Sequence, residues 1–177
     1  MIIPKKVEAV LNQHLEMEAN AVFNYLAVAS WCEREGLEGC AKFYRDQSDE
    51  EHTHFMKFFD YINDVGEHAI VPAVKQPKSK FKNIKEVCEY SLKGEQAVTK
   101  SIYHIIKVAE DEGDKATIDF LRFFVDEQRE EEVQFKRIID RIKLIGDGPQ
   151  SLYYIDKEFE KILNQKIKNA AKENNAG

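Results

Sequence analysis

Four glutamates stand where the spacing of a packed helix calls for hydrophobes. Positions seven apart lie nearly on one line of a helix, and the first such row reads Leu11, Glu18, Tyr25, Cys32, beside Leu15, Val22, Ala29. A second stretch gives Tyr44, Glu51, Phe58, Val65 and Gln47, His54, Tyr61, so Glu51 and His54 share a face one turn apart. A third gives Cys88, Glu95, Ile102, Ala109 beside Ser91, Val98, Ile105. In the fourth, Gln128 interrupts Leu121, Phe135, Ile142, and Glu131 interrupts Phe124, Ile138, Ile145. An unpaired buried carboxylate costs several kcal/mol or takes up a proton, and four together exceed the ~5–15 kcal/mol that typically holds a domain folded. A cation must offset them. No Lys or Arg shares the rows, which leaves metal. Carboxylates with one imidazole and no thiolate suit iron or manganese, with zinc a competitor, and a Glu facing a Glu-x-x-His from another helix is a di-metal arrangement of helical bundles. Iron is the preferred reading.

Taken singly these features are weaker. Glu-x-x-His arises by chance in many helices, and its weight here comes from the partner rows. The acidic run from Asp126 to Glu132 reads as a solvated helix face, a reading kept for Asp126, Arg129 and Glu132. Periodicity alone leaves Glu127, Glu130 and Glu50 as either ligands or surface. Tyr25 is either packed or a hydrogen-bond and electron donor beside the metal. His14, His52, His68 and His104 read as surface or edge residues, and Trp31 and the phenylalanines as core. The Lys-rich KILNQKIKNAAK reads as a complement to a helix C-terminal dipole.

These rows need four long helices that meet at one level. Apolar spacing from Val7 predicts a first helix, starting near Pro4 and running to about Glu35, with Gly36 ending it. The pattern resumes at Cys40 and ends near Gly66; so short a link makes the two helices antiparallel. The segment EHAIVPAVKQPKSKFKN excludes a continuous helix through Pro72 and Pro77. At about 3.3 Å per residue it spans roughly 50 Å, the length of a long helix, so a third helix over Ile84–Glu112 can run parallel to the second. Gly113 and the N-cap candidate Asp114 reverse the chain into a fourth helix ending near Gly146. A shorter amphipathic helix follows over about 151–167, with Ser151 as N-cap, and the tail AKENNAG is expected to fray. The expected fold is all-α: a four-helix bundle over about 4–146, with one long crossover between the second and third helices and a short fifth helix, in one domain spanning 1–177.

The totals agree. With 177 residues, 43% hydrophobic and 33% charged, and only eight Gly and four Pro, the chain suits one domain of long helices. Its net charge of −6 argues against a nucleic-acid partner and favours cations. Cys32, Cys40 and Cys88 form no Cys-x-x-Cys pair and read as reduced core residues. No stretch approaches the roughly 20 apolar residues of a membrane helix, and no signal peptide is evident, so a cytoplasmic location is expected.

Over essentially its whole length the chain resembles the non-haem ferritins of bacteria and archaea, through LNQHLEMEANAVFNYL, SDEEHTHF, GEQAVTKSIY, DEQREEE and SLYYIDKE. The resemblance implies that Glu18, Glu51 and His54 hold a first iron, that Glu51 bridges to a second held by Glu95 and Glu131, and that Gln128 and Tyr25 stand nearby. It implies a third, transit site from Glu50, Glu127, Glu130 and Glu131. It further implies ferroxidase activity on Fe(II) with O2 or H2O2, storage of ferric oxyhydroxide, and a hollow homo-oligomeric shell of twenty-four subunits. In that shell the last helix would lie near the four-fold axes and the acidic turn Glu110–Asp114 near the three-fold pores. Gln128-x-x-Glu131 replaces a second Glu-x-x-His, so the second iron should be held less tightly than in bacterioferritin-like sites. His52 stands where haem-binding relatives carry Met, so no haem is expected. The rival reading is a di-iron oxidase or peroxidase that stores nothing; the Cys-x-x-Cys iron domain of rubrerythrin-like enzymes is absent.

Overall fold

Helix boundaries fall where the chain carries its own stop and start signals. The computed structural model describes residues 3–174, and within them the helices are α1 (Lys5–Arg34), α2 (Glu38–Asp64), α3 (Ile84–Glu112), α4 (Lys115–Ile145) and α5 (Ser151–Asn174). Gly36 closes α1 at φ 73°, where a side chain would be strained, and Leu37 N donates to Cys32 O. Gly113 at φ 74° does the same for α3, with Asp114 N donating to Ala109 O. Asn83 accepts from Glu86 N to start α3, and Asp114 accepts from Thr117 N and Thr117 Oγ1 to start α4. These caps explain why α3 and α4 match the sequence expectation closely.

Two boundaries differ from it. The second helix begins at Glu38 instead of Cys40, and its N-cap Leu37 has no capping side chain. The cap comes from another element: Asp156 Oδ1 of α5 accepts from Cys40 N at 2.9 Å. The fifth helix continues past Ile167 to Asn174, because Ala, Lys and Glu sustain helix without an apolar face to mark it. Ser151 is its first residue, not its cap, and residues 175–177 of the expected frayed tail lie outside the described residues.

The crossover runs back along α1. Asn12 accepts from Ile70 N and Asn20 from Lys75 N, both at 2.8 Å, while Phe81 meets Trp31 near the other end. The chain therefore returns to the end of the bundle where α2 began, and α3 descends parallel to α2, as expected. Helices α1 and α2 form one antiparallel pair and α3 and α4 another; α5 lies across α2 and α4.

The apolar core is in two parts. One cluster gathers Val28, Cys32, Phe43, Tyr44, Val87, Phe135, Ile138 and Phe159 with their neighbours; the other gathers Leu11, Leu15, Phe58, Ile62, Ile102, Ile105, Leu121 and Phe124 with theirs. All three cysteines are free and buried and Trp31 is buried, as expected, but Phe23 and Phe123 are exposed. No described helix is long and apolar enough to cross a membrane.

Candidate metal centre

Between the two apolar clusters lies a layer of buried polar side chains to which each of α1 to α4 contributes. Glu18, Gln47, Glu51, His54, Glu95, Gln128 and Glu131 are all buried. Glu18, Glu51 and His54 each present one ligand atom, and those atoms lie within 4.8 Å of one another. Glu51 and His54 meet because a three-residue step on α2 puts them one above the other, His54 Nδ1 being 3.5 Å from Glu51 Oε2. His54 also faces Glu127, whose Oε2 is 3.9 Å from Nε2.

Glu95 and Gln128 continue the layer across α3 and α4. Gln128 Nε2 donates to Glu95 Oε2 at 3.0 Å, and Tyr25 Oη donates to Glu95 Oε1. Glu131 accepts from Gln134 Nε2 at 3.1 Å, and Gln134 donates in turn to Gln47 Oε1 at 2.7 Å. Gln47 Nε2 donates to Glu50 Oε2 at 2.9 Å. The structure thus brings Glu18, Tyr25, Glu51, His54, Glu95, Gln128 and Glu131 to one depth. Glu50 and Glu127 are half-buried and Glu130 is exposed; these three border a separate cavity of about 750 Å³ with Lys166 of α5.

Burial first, and then the crowding of so many acids, governs their protonation. Burial, then the charges of Glu95 and Glu18, hold the Glu51 carboxyl well above the ordinary glutamate range. Burial raises Glu95 to about 7 despite hydrogen bonds from Tyr25 and Gln128. Burial and the Glu95 and Glu50 charges raise Glu131 to about 8, with Lys166 pulling the other way. Glu18 is the exception: burial opposes its charge, but His14 and His54 outweigh burial and keep its carboxyl below the ordinary range. Burial and the same acids hold the Tyr25 phenol well above its ordinary value, so it remains a donor.

Several participants went unread in the sequence. His14, expected as a surface or edge residue, is fully buried, with Nδ1 2.8 Å from Ser101 Oγ and its ring against Phe58. Its Nε2 lies 2.8 Å from Glu18 Oε1 without meeting hydrogen-bond geometry, and among the described residues neither that nitrogen nor Glu18 Oε2 has a hydrogen-bond partner. The available signal was position: His14 is three residues after Leu11 and four before Glu18, on the inward stripe. Gln47 was visible in the second row but was assigned no task. Lys166, expected only as a dipole complement, pairs with Asp46 and Glu50. Glu132, expected on the solvated face, is half-buried and accepts from Thr99 Oγ1 at 2.9 Å as well as from Lys136. His52, His68 and His104 are exposed, as expected.

A buried carboxylate oxygen without a donor is an unstable arrangement unless a cation completes it. Glu18, with Glu51 and His54 beside it, fits a metal ion of borderline or hard character. Fold and site together define a four-helix bundle with a buried carboxylate and histidine cluster in its interior that could hold a metal ion. The ferritin-like domain family matches residues 8–145. Bacterial non-heme ferritins of Staphylococcus epidermidis and Staphylococcus aureus are 42% and 40% identical over 158 residues, covering 89% of this chain and 95% of each relative. The crystal structure of an open pore ferritin from the archaeon Archaeoglobus fulgidus superposes with a TM-score of 0.87 at 34% identity, over 89% of this chain and 96% of that one. The chain belongs to the ferritin family.

Proposed function

We infer that this protein stores iron and oxidises it on the way in. The observation that carries the reading is the buried Glu18 carboxylate, one oxygen of which lacks a hydrogen-bond partner and whose ligand atom lies within 4.8 Å of those of Glu51 and His54, in a layer whose other acids resist ionisation until a cation arrives. Ferrous iron is the substrate. Glu18, Glu51 and His54 hold one ion, and Glu51, Glu95 and Glu131 hold a second, with Gln128 and Tyr25 orienting Glu95. Entry of two dications displaces the protons that Glu51, Glu95 and Glu131 retain. Hard carboxylate oxygens bind ferric iron better than ferrous, which lowers the ferric/ferrous potential, so that the two ferrous ions together give two electrons to dioxygen or hydrogen peroxide, reduced with two protons to hydrogen peroxide or water.

The oxidised iron leaves by way of the shared Glu131 and of Glu50, Glu127 and Glu130, the last three bordering the neighbouring cavity, and is deposited as ferric oxyhydroxide. The working unit is one ferritin-like domain over 1–177, assembled into a hollow shell of twenty-four copies in the cytoplasm, without haem. Gln128, an uncharged partner on α4, leaves the second ion the less firmly held and so favours turnover.

Glu18→Ala and His54→Ala proteins should lose most of the rate of ferrous oxidation under air. Parent-like rates in both would remove this centre from the mechanism. Iron loading followed by size-exclusion chromatography separates storage from a bundle oxidase, since only storage retains many irons in a large particle.

A further inference from the structure

Glu50 is already engaged by two side chains. Its Oε2 accepts from Gln47 Nε2 at 2.9 Å and also pairs with the Lys166 ammonium. Lys166 comes from α5, an element outside the bundle, and its Nζ is 2.7 Å from Asp46 Oδ2 as well. With a side chain 31% exposed, this is no freely solvated surface pair. Burial works against the ammonium, yet Glu50 and Asp46 outweigh burial and keep it charged. Its charge is felt at Glu131, and Gln47 links Glu50 to Glu131, with Nε2 3.4 Å from Glu131 Oε2.

We propose that Lys166 is the resident counter-cation of the third acid group: it occupies Glu50 while no metal is there, and a metal that takes Glu50 must displace it. Helix α5 therefore sets how tightly the group formed by Glu50, Glu127 and Glu130 holds an ion. A weak hold suits a passage and a strong hold would trap the cargo. The inference rests on reading those three acids as a metal group, and the experiment separates the two claims.

Crystals of the parent, Lys166→Met and Lys166→Arg proteins are soaked in graded Zn(II), a redox-inert probe, and anomalous scattering gives occupancy at each group. Sites at Glu18, Glu51 and His54 in the same crystals serve as the reference. Lys166→Met should fill the Glu50 group at about one-tenth the Zn(II) concentration, and Lys166→Arg should behave like the parent. Equal occupancy in all three proteins overturns displacement while leaving the third group standing. No Zn(II) at that group in any of them overturns the group and the inference with it. A double-mutant cycle of Lys166→Met with Glu50→Gln, read as thermal midpoints of the metal-free protein, should show favourable coupling that weakens in high salt. Zero coupling refutes the counter-cation.

Discussion

Removing the charge of Glu95 should make the metal-free protein more stable, not less. Its carboxyl titrates near 7 in the fold against an ordinary value of 4.5. Below pH 4.5 both folded and unfolded chains hold this proton, so no penalty exists. Between 4.5 and 7 the unfolded chain ionises first and stability falls with each pH unit; above 7 the loss is complete. At about 1.4 kcal/mol per unit the full loss is about 3 kcal/mol. Glu95→Gln abolishes it but weakens the hydrogen bonds from Tyr25 and Gln128, returning about 1 kcal/mol. The net gain of about 2 kcal/mol at pH 8 corresponds to a melting point roughly 4–8 °C higher for a chain of this size. Calorimetry of chelator-treated parent and Glu95→Gln proteins at pH 5 and pH 8 measures it, the advantage vanishing at pH 5. With Zn(II) present the order should reverse, because the parent binds more tightly. If Glu95→Gln melts lower at pH 8 without metal, or its effect does not change with pH, the crowded acids are not a source of strain.

Metal binding at pH 7 should release protons, since Glu51, Glu95 and Glu131 are all raised. Titration calorimetry with Zn(II) in buffers of different ionisation enthalpy would detect this, and identical heats would contradict it. His14→Leu removes the imidazole that steadies Glu18 and should weaken Co(II) binding at the first group about tenfold, followed by visible absorption. A Cβ on Gly39 would stand 2.3 Å from Asp156 O, so Gly39→Ala must push α5 off α2 and expose α5 amides to hydrogen exchange. Asp156→Ala should lower stability by about 1 kcal/mol through the lost cap of α2, read from the melting point.

Much of this molecule was legible because its signals are local. Asn83, Gly113 and Asp114 act on neighbouring backbone groups, so α3 and the start of α4 follow from the chain itself. The row of Glu18 was legible for the opposite reason: it violates the local pattern, and four such violations coincide. His14 escaped because a lone histidine beside hydrophobes is ambiguous until its partner, Ser101, arrives from another helix. Lys166 escaped because periodicity within a helix says nothing about how α5 lies across α2. The same gap hid the cap of α2, whose acceptor, Asp156, is supplied by a distant stretch of chain.

Splitting the apolar interior into two masses has a mechanical result. Each of the four long helices is clamped above and below the acids, as a shaft is held by a pair of bearings. Ions that change radius and charge as they pass can then be followed by side-chain torsions alone, while the backbones that carry those side chains stay in register. Repeated filling and emptying need not loosen the frame, because the acids and His54 belong to neither grip and, among the described residues, only Tyr25 hydrogen-bonds to them from one.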